Sequence, residues 1–149
     1  MQLRKILRPL VIACSLTAAA TSQAVCPFNV VDGNSGTTDA LRDGVLLVRY
    51  AQGLRGPALV SGMGASVVSA TVESNIAANT ATLDVNGNGV FDLMDASIIA
   101  RKVFGFADQN WMPEVPSGST FGGAYATRTT TALVKAFIDG GCTAPMFVS

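Results

Sequence analysis

The chain has 149 residues with ten basic and ten acidic side chains, so its net charge is zero, and only 13% of its residues are charged. That balance gives no electrostatic footprint for a nucleic-acid groove, and a 49% share of hydrophobic residues is too apolar for a disordered chain. Histidine is absent, which removes the commonest general base, the Ser-His-Asp and Cys-His nucleophile systems, and most zinc and copper sites.

The N-terminus reads as an export signal over residues 1–24. Arg4, Lys5 and Arg8 form a basic start, and Leu10–Ala20 is a short apolar stretch. Ser22-Gln23-Ala24 offers small residues at the positions signal peptidase needs, which places the cut after Ala24, with Ala18-Ala19-Ala20 as an earlier alternative. An apolar run of 11 residues is too short to cross a ~30 Å hydrocarbon core as a helix. Val11-Ile12-Ala13-Cys14 has the look of a lipoprotein cleavage box, but the apolar run before it is too short. Cleavage leaves seven basic and ten acidic residues, a net of −3, and two cysteines, Cys26 and Cys142. In an oxidising compartment those two make one bridge between the ends of the domain, the alternative being two free thiols. Closing so long a loop stabilises a fold by roughly 4–5 kcal/mol in the chain-entropy model.

The mature chain, residues 25–149, repeats itself. Displaced by 52 positions and without a gap, Asp32–Leu54 and Asp84–Phe106 share six identities: Asp32/Asp84, Asn34/Asn86, Leu41/Leu93, Asp43/Asp95, Arg49/Arg101 and Gly53/Gly105. Three of these stand at positions 1, 3 and 12 of a twelve-residue loop, where a shared structural demand is expected.

The first loop, Asp32 to Asp43, keeps Asp32, Asn34 and Asp43 at positions 1, 3 and 12, and Thr38 at position 7 offers its main-chain carbonyl. Its position 5 is Gly36, without a side-chain oxygen, and position 8 is Asp39 rather than an apolar residue. Water at position 5, or a one-residue bulge that brings Asp39 inward, would complete a weaker metal site. A helix follows, with Leu41, Val45, Leu46, Val48, Tyr50 and Leu54 on its apolar face and Gly53 as its stop. A second helical stretch is expected over about Ala65–Ala78.

The second loop, Asp84 to Asp95, carries oxygen side chains at positions 1, 3, 5, 9 and 12, namely Asp84, Asn86, Asn88, Asp92 and Asp95. Gly89 stands at position 6, where the chain must turn sharply, and Val90 at position 7 offers a main-chain carbonyl. This is the EF-hand pattern. Ca²⁺ takes six to eight hard oxygen ligands at about 2.3–2.6 Å, and a tight loop can aim alternate side chains at one point. The departure is Asp95 at position 12, where an EF-hand has Glu. An Asn-Gly-rich turn that binds nothing is the plainer reading of the same residues. Six of the ten acidic residues fall in the two loops, and that clustering favours two Ca²⁺ sites over two solvated turns.

The second helix carries Ile98, Ile99, Val103, Phe104 and Phe106 and stops at Gly105. A loop around Asn110–Gly123 holds Trp111, read as a plug on the core rather than a ligand platform. A last helix is expected over about Thr129–Asp139, with Leu133, Val134 and Phe137 at helical spacing. The expected fold is all-α. Two calcium loop-helix units, each followed by a further helix, pack about a pseudo-two-fold axis, with repeat one over about 28–78 and repeat two over about 83–140.

Leu83–Phe106, "LDVNGNGVFDLMDASIIARKVFGF", resembles a type I dockerin repeat. Such repeats run Asp-Val-Asn-Gly-Asp-Gly, end the loop in Asp, and continue into a helix closed by Gly. "DGNSGTTDALRDGVLLVRYAQGLRG" resembles a divergent copy. The resemblance implies a calcium-stabilised pair of loop-helix units that docks onto a partner protein. This chain differs in carrying Leu41 and Arg42, then Leu93 and Met94, at loop positions 10 and 11, and in the long helical insertion between its repeats.

The functional expectation is a secreted, bacterial, calcium-binding interaction module whose partner is another protein or further copies of the chain. Neither nucleic acid nor, after signal removal, a membrane is expected as a partner. The alternative is a structural subunit of an extracellular filament or surface assembly, which the low charge and mean hydropathy of +0.41 would suit. A hydrolase is not expected, because the loops consume the aspartates, Glu73 and Glu114 are the sole glutamates, and no nucleophile-base pair is visible.

Overall fold

The computed structural model describes residues 26–32, 37–112 and 126–143. The expected export signal with its cut after Ala24, Asn34 of the first loop and Glu114 lie outside the described residues. Among the described residues there are helices and turns and no strand, in keeping with the all-α class. The helices are α1 (Val45–Ala51), preceded by a π-helical turn over Ala40–Gly44, then α2 (Ser69–Ala78), α3 (Thr80–Leu83), α4 (Leu93–Val103) and α5 (Thr131–Asp139). None is long and apolar enough to cross a membrane.

Short polar residues start α4, α5 and the π-helical turn, because their side chains can satisfy the orphan N–H groups of a first turn. Asp92 accepts from the N–H of Met94 and Asp95, and Asp95 accepts in return from the N–H of Asp92, which makes a capping box at α4. Thr130 caps α5 through the N–H of Leu133. Asp39 accepts from Leu41 and Arg42 at 2.8 and 3.1 Å and starts the π-helical turn.

The two helix stops are alike. Gly53 and Gly105 take φ of 89° and 78°, the left-handed conformation that glycine adopts without a Cβ penalty. Gly53 and Gly105 donate to the carbonyls of Tyr50 and Lys102, and Leu54 and Phe106 donate to those of Arg49 and Arg101, each at 3.0 Å. Both ends are therefore Schellman motifs. The likeness continues beyond them. Gly56–Ala58 and Asp108–Asn110 are both 3₁₀ turns. Arg49 donates to the carbonyl of Leu59 at 3.1 Å, and Arg101 to that of Trp111 at 3.3 Å. Leu59 and Trp111 are both buried, and the Trp111 indole N–H donates to the Phe106 carbonyl at 2.8 Å. Trp111 is thus a core plug with its polar edge satisfied.

Leu46 and Leu47 of α1 and Ile98 and Ile99 of α4 are wholly buried, and these helices pack chiefly on one another. Burial of such a side chain contributes roughly 1.5–3 kcal/mol. Gly44 permits the close approach: a Cβ there would stand 3.0 Å from Val103 and 3.8 Å from the Ala100 Cα. Val72 and Ile76 of α2 and Val134, Phe137 and Ile138 of α5 close the same core. Cys26 and Cys142 are bridged, with Cα atoms 5.0 Å apart across 116 residues of chain.

Three local expectations differ from the structure. Leu41, expected on an apolar face, is 70% exposed, because the π-helical turn rotates it away from the register of α1. Phe104 and Phe106, at the last turn of α4 and past its glycine stop, are also largely exposed. The second helical stretch begins at Ser69 rather than Ala65, since Gly64 takes φ of 92° and Val68 is extended.

Candidate metal centre

α3 is a single turn that delivers Leu83 to the core and Asp84 to the mouth of the second loop. The loop then folds around the Asp84 carboxylate. One oxygen accepts from Gly87 and Asn88 at 2.7 and 3.1 Å, and the other from Gly89 at 2.8 Å. The Asn86 side-chain oxygen accepts from Asn88 at 2.9 Å, and that of Asn88 accepts from Val90 at 3.0 Å. Asn88 donates its amide to Asp92 at 3.2 Å. Gly89, at the sharp turn, has φ of 95°. The Val90 side chain is exposed, as suits a residue that would contribute only its carbonyl.

Asp95 closes the loop. It is fully buried and accepts from the N–H of Asn86 at 2.9 Å and of Asp92 at 3.0 Å. Burial pushes its carboxyl up to about 7, against those two N–H groups, while the nearby carboxylates of Asp84 and Asp92 push it further up. The buried Asp95 carboxylate thus sits beside two others, a condition that a bound cation relieves. The Asn86 amide nitrogen is buried without a hydrogen-bond partner.

One cation already faces this loop. Arg128 donates from Nε to the carbonyl of Val85 at 2.7 Å and from Nη2 to that of Asp84. Its own N–H donates to the Asn86 carbonyl at 2.8 Å, and the N–H of Thr127 donates to the Gly87 carbonyl at 3.2 Å. Two consecutive residues therefore satisfy four consecutive loop carbonyls. Burial lowers the Arg128 pKa from its usual range, opposed by the charges of Asp84 and Asp95. Gly87, with φ of 73°, is required by this strap, since a Cβ there would lie 2.1 Å from the Thr127 hydroxyl.

The first loop has the same anchor in a different register. Asp43 is buried and accepts from Val30 and Val31 at 2.9 and 3.1 Å and from Asp39 at 2.7 Å. Asn29 accepts from Asp32 at 2.9 Å, three residues on, just as Asp84 accepts from Gly87. Asn29 and Val31 therefore stand where the second loop has Asp84 and Asn86, and Asp32 stands where it has Gly87. Asp39 takes the capping place of Asp92 rather than that of an apolar position 8. The extra residue between Asp39 and Asp43, compared with Asp92 and Asp95, is absorbed by the π-helical turn. Asn75 of α2 donates to the Val30 carbonyl at 2.9 Å, the counterpart of the Arg128 bond to Val85. Asp32 is exposed, and Thr38 is half-buried.

The structure thus gathers Asp84, Asn86, Asn88, Asp92 and Asp95 in one hydrogen-bonded turn. Among the described residues no three side chains of Asp, Glu, Cys or His are close enough to hold an ion by themselves. A calcium sphere in this loop would need the amide oxygens and the Val90 carbonyl as well, a donor set that fits a hard cation and not a soft one. Sequence reading missed Asn29, whose signal is the apolar-Asx-Val run Phe28-Asn29-Val30, parallel to Leu83-Asp84-Val85. Arg128 and Thr127 carried no signal, being remote in the chain. Glu73 accepts from the Gly56 N–H at 2.7 Å, a structural use. Comparison of the chain with protein-family models, with curated proteins and with solved structures finds no match.

Proposed function

We propose that the chain is a secreted calcium-binding interaction module made of two dockerin-like loop-helix units. Asp84, Asn86, Asn88, Asp92 and Asp95, with the Val90 carbonyl, would hold the stronger ion. The observation that carries this reading is the loop geometry: Asp84, Asn86, Asn88, Asp92 and Asp95 are gathered in one hydrogen-bonded turn, closed by the buried Asp95. Calcium would supply the positive charge that offsets the burial of the Asp95 carboxylate. The first loop, with Asp32, Asn34, Thr38 and Asp43, is proposed as a weaker second site, because its buried Asp43 accepts main-chain N–H groups as Asp95 does, while Asp32 stands where the second loop has Gly87. The Cys26–Cys142 bridge supports an oxidising, extracellular compartment.

Calorimetric titration of the metal-stripped chain with calcium tests the reading. The expected result is one strong binding event that disappears in Asp84→Ala and a weaker one that persists. Absence of calcium uptake by the wild-type chain at millimolar concentration overturns it.

A second reading, a structural subunit of an assembly, is favoured by a different observation. Leu41, Phe104 and Phe106 are exposed, and a neighbouring subunit would cover such side chains where they form one patch. Light scattering and electron microscopy of the purified chain separate the two: a calcium-dependent monomer supports the module, and ordered particles or fibres support the subunit.

A further inference from the structure

We propose that Asn88, and after it Asn86, is a latent site of intramolecular deamidation that the Asp84 carboxylate holds closed while the loop is folded. The second loop contains two successive Asn-Gly pairs, Asn86-Gly87 and Asn88-Gly89. In such a pair the main-chain nitrogen of glycine, once it has lost its proton, adds to the side-chain amide carbon of asparagine. A C–N bond forms, the bond to the amide nitrogen breaks, and ammonia leaves with a proton. The resulting five-membered imide takes up one water and opens at either carbonyl, giving aspartate or isoaspartate. Water is the one co-reactant. Glycine leaves the approach open because it has no side chain.

Both pairs are locked in the same two ways. The nucleophilic nitrogens are engaged, since Gly87 and Gly89 donate to the two Asp84 oxygens at 2.7 and 2.8 Å. A carboxylate beside an N–H also opposes formation of the nitrogen anion that must attack, as any like charge does. The electrophilic groups are turned elsewhere: Asn86 accepts from Asn88 at 2.9 Å and Asn88 from Val90 at 3.0 Å, each two residues on rather than one. The Asn88 amide nitrogen, the leaving group, is also held by Asp92 at 3.2 Å. Reaction therefore requires the loop to open, and its rate follows the population of open loop.

The order of reaction follows from burial. Gly89 and Val90 are exposed, and Asn88 is only half-buried, whereas Asn86 is wholly buried and its carbonyl is held by Arg128. Aspartate at position 88 would add a fourth carboxylate to the loop. Isoaspartate would lengthen the main chain by one carbon and displace the alternate oxygens from their common point. Either product alters the loop permanently, so the site records how long the loop has been open. This inference stands on the hydrogen bonds of the loop and not on the calcium reading.

The test incubates the full chain in excess chelator at mildly alkaline pH and follows each asparagine by peptide mass spectrometry, with a synthetic peptide of residues 84–95 as the unprotected reference. Deamidation of Asn88 in the folded chain is expected to be at least about tenfold slower than in the peptide, because two hydrogen bonds to a charged acceptor must break first. Asp84→Ala is expected to recover most of that factor, with Asn88 ahead of Asn86. A wild-type chain that keeps pace with the peptide, Asn86 reacting first, or an unchanged rate in Asp84→Ala overturns the proposal. Where circular dichroism shows Asp84→Ala unfolded, Asp84→Asn carries the test. Its single amide oxygen frees one of the two glycine N–H groups, so a faster rate supports the proposal and an unchanged rate overturns it.

Discussion

The guanidinium carbon of Arg128 lies 3.9 Å from the centroid of the Phe137 ring. Arg128 precedes α5 and grips the second loop, and Phe137 lies within α5, so this contact joins the loop to the final helix. A desolvated cation over an aromatic face contributes up to about 2 kcal/mol, and each hydrogen bond from a charged donor roughly 1.5–3 kcal/mol.

Removing Arg128 should therefore loosen both partners at once. Arg128→Ala is expected to destabilise the fold by about 3 kcal/mol or more, since the Asp84 and Val85 carbonyls lose their donors. Urea denaturation checks this. Arg128→Lys, which keeps the charge but not the fork, should recover less than half of the loss. Full recovery by lysine would mean that charge alone matters.

Gly87 and Gly53 make a matched pair for testing close approach. Both have positive φ, but a Cβ meets nothing within 4 Å at Gly53, whereas at Gly87 it meets Thr127 at 2.1 Å. Gly53→Ala should cost about 1 kcal/mol from backbone strain alone. Gly87→Ala adds a steric term of about 1–3 kcal/mol. Thermal melts of the two variants should rank them in that order, and equal costs would argue against the strap.

Chelation should lower the melting temperature under the proposed calcium reading. A ligand at a hundredfold its Kd stabilises the folded state by about 2.7 kcal/mol when it does not bind the unfolded chain. In Asp84→Ala the melting temperature should no longer respond at the second loop. Calorimetry in calcium and in excess chelator measures both.

Reduction of the Cys26–Cys142 bridge should destabilise the fold by roughly 2–5 kcal/mol, because it opens a loop closed across a separation of 116 residues. Melting with and without reductant, with calcium held constant, checks this.

Much of this fold was legible in the chain itself. The glycine stops at Gly53 and Gly105, the core positions of Leu46, Ile98 and Ile99, and the pairing of two remaining cysteines depend on local chemistry or on counting. Asp84, Asn86, Asn88, Asp92 and Asp95 form one local turn, so their spacing alone brings them together. The structure decided the rest. An ungapped comparison placed Asp32 opposite Asp84, but the hydrogen bonds place Asn29 there, three residues earlier: the π-helical turn at Ala40–Gly44 takes up one of the three, and the other two fall between Asp32 and Asp39. Asp39 at position 8 signalled a one-residue bulge, but nothing in the residues signalled the other two. The Thr127–Arg128 strap was invisible, because it joins residues 40 or more apart, and only the packing of α5 determines where it lands. Local sequence fixes what a turn can form with its own neighbours; which distant segment satisfies its outward carbonyls is settled by the way the helices pack around a common core.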